Sequence, residues 1–166
     1  VHLIPSETWI DRLKEILAVR SVATLLYAPQ TAIGEALQHA WETDAAGPTE
    51  LVAYAGPVET FKERLFAVEA AVTAAAGAVA DTGAIILRPT AAEPRLLSLV
   101  PPIHIAVLRA EDIFASLDDA MAAGNWPSDM PTNMLLISGP SKTADIELIL
   151  AFGVHGPKEL IVLVLE

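Results

Sequence analysis

The sequence predicts an α/β domain built on a doubly wound, mostly parallel sheet with helices on both faces. Three observations predict it. The candidate strands, such as IHIAVL (103–108) and LIVLVL (160–165), are unbroken apolar runs, as strands covered on both faces require. They alternate with segments of 3.6-residue periodicity, the order expected of a parallel sheet with crossover helices. The composition is 53 % hydrophobic but only 5 % aromatic, so the core is aliphatic. At 166 residues the length fits one domain with a core of its own.

Residues 6–18 read as a helix, with Ser6 as N-cap after Pro5, Glu7 in the first turn, and Trp9, Leu13, Ile16 and Leu17 on one face. A buried strand at 22–28 stops at Pro29, and a second helix at 31–43 turns Ile33, Leu37, Ala40 and Trp41 to one side. After a Gly/Pro turn at 45–49, a strand at 51–54 ends at Gly56 and Pro57. Residues 58–66 form a helix with Phe61 and Leu65 inward; 67–73 reads as a strand, although its alanines make helix a rival; 74–80 reads as a short helix. A strand at 84–87 and a helix at 93–99, stopped by Pro101 and Pro102, precede the strand at 103–108. Residues 112–122 read as a helix striped by Ile113, Leu117 and Met121, and 124–132 as a polar loop. A strand at 133–138, a helix at 143–152 and a strand at 160–165 complete the chain.

The balance of 21 acids against 10 bases gives a net charge of −11, which disfavours nucleic acid and anionic membranes. The longest Ala-rich stretch is interrupted by Glu69, Thr73 and Gly77, so no membrane span is expected. With no cysteine, these residues build no disulfide, thiolate zinc site or iron–sulfur cluster. No two-histidine helix spacing occurs, so neither a metal nor a cofactor is expected. A cytoplasmic location fits the missing cysteines and the lack of a visible signal peptide.

Because ligands of such folds bind beyond strand ends, the loops carry the functional candidates. In SGPSKTADIE (138–147), Gly139 and Pro140 leave a strand, Ser141 and Thr143 can cap a helix, and Lys142 adds a charge beside exposed N–H groups. That is either an anion pocket or an ordinary capped helix start. Asp145 and Glu147, two residues apart, point to different sides and make no dyad. Asp81, Thr82 and Gly83 suit a turn held by local hydrogen bonds. His155, before Gly156 and Pro157, can expose both ring nitrogens as a base or an anion donor. With Asp145 and Glu147 it is one of three catalytic candidates. His104, among apolar neighbours, reads first as a hydrogen-bonded core residue, and Arg95 either grips a carboxylate or meets solvent. The three loops are expected to share one end of the sheet and one pocket.

Three stretches carry a family resemblance. ISGPSKTADIELILAFGVHGPKELIVLVLE (137–166) resembles the C-terminal signature of the lactate utilization protein C family, a LUD-type domain. ADTGAIIL (80–87) and RLLSLVPPIHIAVL (95–108) resemble its preceding motifs, in the same order. The resemblance implies a fold like the ribose-5-phosphate isomerase and CoA-transferase group. It implies an accessory role in bacterial L-lactate oxidation to pyruvate, beside partner subunits that carry iron–sulfur clusters. It also implies that Asp81, Thr82, Gly83, Arg95, His104, Gly139, Pro140, Ser141, Lys142, Thr143, Gly156 and Pro157 contribute to a small-anion site, with no catalytic role assigned. Family members usually carry a helical segment upstream, which this single domain (1–166) is expected to lack. The alternative is an enzyme in its own right, acting on a carboxylate-, phosphate- or CoA-linked small molecule.

Overall fold

The computed structural model describes residues 1–43, 48–126, 128, 131–144, 150–152 and 155–166. In chain order the first half holds β1 (His2–Ile4), α1 (Trp9–Val19), β2 (Thr24–Tyr27), α2 (Ala32–Thr43), β3 (Glu50–Ala53), α3 (Val58–Ala67) and β4 (Ala70–Ala74). The second holds β5 (Gly77–Val79), β6 (Ala84–Leu87), α4 (Leu96–Leu99), β7 (Ile103–Arg109), β8 (Ile113–Phe114), α5 (Leu117–Ala123), β9 (Leu135–Ile137), β10 (Lys142–Ala144), β11 (Leu150–Phe152) and β12 (Glu159–Leu165).

Six strands form the main sheet in the order β1-β12-β7-β4-β2-β3, and every neighbouring pair is parallel. The two unbroken apolar runs, β7 and β12, lie side by side in its interior, in register from Ile103↔Glu159 to Arg109↔Leu165. One face is covered by α1 and α2: Trp9, Leu13, Ile16, Leu17 and Leu37 pack on Leu25, Val72, Ile105 and Leu163. The other face is covered in two parts. Phe61 and Leu65 of α3 and Leu97 of α4 pack on Leu26, Val52 and Ala71. Beside them, Ala78, Ile85 and Leu87 pack on Ala106, Leu108, Val162 and Val164. These last come from a second, four-stranded sheet ordered β8-β5-β6-β9, whose outer side meets α5 through Ala120 and Leu117.

The expected doubly wound α/β plan is present. Five sequence expectations need correction. Ser6 does not cap α1: Thr8 precedes it without a side-chain cap bond, and the Ser6 hydroxyl donates instead to the Glu166 carbonyl. Residues 74–80 are not a helix but the end of β4 followed by β5, because Gly77, at φ +159, lets the chain leave one sheet for the other. The 93–99 helix shrinks to α4, since Glu93 is turned onto the Ala74 amide. The 112–122 helix starts only after Ser116, whose capping box with Asp119 fixes the start. Finally, the two described ends of the expected 143–152 helix are strands, while 145–149 lie outside the described residues. β10 and β11 pair antiparallel, Thr143 opposite Ala151. A short apolar run cannot be told from a strand by periodicity alone, and here the backbone amides find partners across the pair. Among the described residues, no helix is long and apolar enough to cross a membrane.

Candidate functional site

The strand order reverses direction once within the main sheet. From β2 the chain moves outward to β3 through α2, on the face that α2 shares with α1. From β4 it moves the other way, towards β7, through elements on the opposite face. The β2–β4 boundary is therefore the topological switch point, where connections diverge and leave a crevice beyond the carboxyl ends.

A cavity of about 650 Å³ opens next to it, beyond the carboxyl ends of β4, β7 and β12. Ala74 and Ala75 end β4 on one wall, Ala32, Ile33 and Ala36 begin α2 on another, and Trp9 approaches from α1. Arg109 and Glu111, an ion pair, stand at its rim after β7. Sequence shapes the α2 wall closely. Thr31 caps the helix, its hydroxyl oxygen accepting from the Gly34 amide at 3.1 Å and donating to the Ala28 carbonyl at 2.9 Å. At Gly34 a Cβ would lie 1.9 Å from the Ala28 carbonyl oxygen, so only glycine lets α2 start this close to the end of β2.

Glu93 stands on the β4 side of the switch point. Its two oxygens accept from the Ala74 amide at 3.1 and 3.3 Å, and the segment that carries it is closed by reciprocal Thr90–Glu93 bonds. Burial pushes its carboxyl up to about 7, opposed in part by the Ala74 bond. Thr73, one residue back on β4, shares a 2.8 Å hydrogen bond with His104 Nε2. His104 is wholly buried, its Nδ1 has no partner among the described residues, and burial lowers its pKa to about 4. The ring is neutral at pH 7. This agrees with the core reading of His104, and Thr73 is the partner that reading needed.

The sequence-picked loops lie elsewhere. Asp81, Thr82 and Gly83 form the exposed β5–β6 turn, with Gly83 at φ +62 and the Asp81 amide on the Ala115 carbonyl. The register Ile85↔Ile137 sets this turn beside the exit of β9, next to Ser138 and Gly139. Further on, the Ser141 amide donates to the Pro157 carbonyl at 2.8 Å, and the His155 amide to Ser141 Oγ at 3.4 Å. Gly156 faces Ser141, where an added Cβ would sit 3.3 Å away. The 139–142 and 155–157 segments thus meet, and Lys158 and Glu159 tie them to Pro102, at the amino end of β7 and β12. That is the end opposite the switch-point crevice, and none of these loop residues lines the crevice. Lys142 and Thr143 belong to β10, so the helix start invoked for an anion pocket is absent there. Arg95 is exposed and lines a small hollow with Glu93, Arg88 and Ser98. Asp145 and Glu147 lie outside the described residues.

Sequence comparison now bears on this geometry: the LUD domain model matches residues 1–165. The chain belongs to the LUD domain family. This LUD domain is 32 % identical to an uncharacterised protein of Neisseria meningitidis, over 98 % of the chain and 70 % of that protein. It is 38 % identical over 97 residues to lactate utilization protein C of Deinococcus radiodurans, a match covering 58 % of the chain and 46 % of the relative. With lactate utilization protein C of Bacillus licheniformis it shares 28 % over 130 residues, 76 % of the chain and 50 % of the relative. The chain thus matches half or less of the length of these two named relatives. A crystal structure of a DUF162 family protein from Deinococcus radiodurans superposes with a TM-score of 0.51, covering 98 % of this chain and all of that one at 21 % identity, a likeness of fold alone.

Proposed function

We propose that this LUD domain serves bacterial L-lactate utilisation as an accessory chain, beside iron–sulfur subunits that oxidise L-lactate to pyruvate. Its own part is to receive a small carboxylate in the switch-point crevice. The similarity to proteins named lactate utilization protein C carries this reading. The chemistry of the chain agrees with it. Without cysteine these residues ligate no iron–sulfur cluster by thiolate, so the electrons pass through other chains. The crevice supplies the start of α2, whose backbone dipole favours an anion, and an apolar wall of alanines. A second reading is an enzyme acting alone on a carboxylate-, phosphate- or CoA-linked molecule; its support is Glu93, at the end of β4, whose carboxyl burial pushes up to about 7, the range of a general base.

The test is genetic and biochemical. Deleting the gene in a lactate-growing host should abolish growth on L-lactate, and the gene should restore it. Affinity capture from lactate-grown cells should recover iron–sulfur proteins, and the purified protein alone should reduce no dye with lactate. Normal growth of the deletion strain would refute the role. Lactate-dependent dye reduction by the protein alone would favour the enzyme.

A further inference from the structure

We propose that Arg109 is the ligand-reading residue of the crevice, its guanidinium exchanging Glu111 for the carboxylate of a small ligand. The identity of the ligand rests on the lactate-utilisation reading; the place of Arg109 rests on the strand geometry and on the lining of the cavity.

Arg109 is the last residue of β7. Side chains two apart on a strand share a face, so Arg109 follows Ile105 and Val107 in one row. Ile105 and Val107 pack in the core beneath α1 and α2, and Val107 also lines the crevice. Arg109 therefore places a charge where the row would put its next apolar side chain, at the point where the core opens. Its backbone is held in register opposite Leu165 of β12, another lining residue. The side chain thus starts from a position fixed by the sheet. Among the described residues that line the crevice Arg109 is the one base, beside two acids, Glu111 and Glu166. An entering carboxylate is repelled by both acids, and the guanidinium is the lining side chain that attracts it.

The ion pair with Glu111 indicates what the guanidinium accepts. The two side chains are 68 % and 67 % exposed, and an ion pair so exposed contributes little to stability. Little is lost when it opens. A ligand carboxylate offers the same two oxygens and accepts two parallel N–H bonds from the guanidinium. The body of the ligand then rests against the apolar walls of Ala74, Ala75 and Ala110. Those walls displace water from the contact, which strengthens the attraction between the charges. Glu111, in the exposed turn that follows β7, turns to solvent. It acts as a built-in competitor, so its removal strengthens binding where removal of Arg109 weakens it. The start of α2 also favours an anion, but a helix dipole does not fix the plane of a carboxylate as a guanidinium fork does.

The experiment is calorimetric titration of the protein with L-lactate, with pyruvate and with L-lactamide, which keeps the shape of lactate and lacks its charge. Wild type should bind the two acids and not the amide. Arg109→Gln should weaken binding of the acids about 10- to 100-fold, the range of a charge-assisted hydrogen bond. Arg109→Lys should weaken it less, because an ammonium keeps the charge but loses the fork. Glu111→Gln should strengthen binding about 2- to 5-fold, the range of an exposed ion pair, and should gain nothing in the Arg109→Gln background. Both positions are exposed, so all variants should melt close to wild type. Arg109→Gln binding as well as wild type, or lactamide binding as tightly as lactate, overturns the role of Arg109 and leaves the crevice and the lactate-utilisation reading standing. A Glu111→Gln gain that persists without Arg109 overturns the exchange. Absence of binding of either acid by wild type also overturns the proposal, while the growth phenotype decides the lactate-utilisation reading separately.

Discussion

Glu93, whose carboxylate rests on the end of β4, and His104 of β7 pull stability in opposite directions with pH. The Glu93 carboxyl is raised from 4.5 to about 7 by burial. Its favourable protonated form is fully present below pH 4.5, and the associated stability is lost as pH rises through 7. His104 is lowered from 6.5 to about 4; its contribution is present above pH 6.5 and is lost as pH falls through 4. Between about pH 4.5 and 6.5 the two slopes oppose each other. Glu93→Gln removes one of them. The stability of Glu93→Gln relative to wild type should therefore grow with pH from about 4.5 to 7, by up to about 1.4 kcal/mol per unit, and level off above. Denaturant unfolding of both proteins at half-unit pH steps measures it, and a constant difference would mean that Glu93 is solvated in the native state. The sequence offered little sign of this residue. Glu93 sits in an ordinary TAAEPR segment, and its importance comes from a backbone amide 19 residues back in the chain. His104 was easier to read, because a lone polar residue in an apolar strand must find a partner.

At the level of elements, apolar runs and helix stripes were legible because period and burial coincide in them: β6, β7, β12, α2 and α3 fall where the pattern puts them. The errors gather where tertiary context overrides local pattern. Residues 77–79 join a second sheet that no local signal announces, and the described ends of an expected helix pair instead as β10 and β11. The α2 start is a place where two local forces compete. Gly34→Ala should favour the helix by about 1 kcal/mol on propensity alone. Its Cβ, however, would fall 1.9 Å from a backbone carbonyl oxygen, which no side-chain rotation relieves. Steric displacement wins, because overpacking of this kind costs about 1–3 kcal/mol or more. Gly34→Ala should lower the thermal midpoint and weaken ligand binding in the crevice, whereas Glu35→Ala, exposed one residue later, should change neither appreciably. A Gly34→Ala protein as stable as wild type would show that α2 does not start against the end of β2.

Across the whole molecule, the chain presents two ends with different characters. The Gly- and Pro-rich loops that the sequence marks out gather at the amino end of β7 and β12, where the Ser141 amide donates to the Pro157 carbonyl and the His155 amide to the Ser141 hydroxyl. The opposite end carries the crevice, whose lining is rich in alanine. Such a site is hard to see in a sequence, since cavities are made by the small side chains that leave space and by the strand order that splits the connections. The choice between the two ends can be made with one substitution. Ala32 is exposed, opens α2 and lines the crevice. Replacing it with tryptophan fills space at the mouth without entering the core, and the propensity penalty at a helix start is below about 1 kcal/mol. The Ala32→Trp protein should therefore melt close to wild type yet fail to bind L-lactate or pyruvate and fail to restore growth on L-lactate. The same measurements on Ser141→Ala, at the amino end, should show binding and growth preserved. If Ala32→Trp supports growth as wild type does while Ser141→Ala does not, function belongs to the amino-end loops and the crevice is only a gap left by the fold.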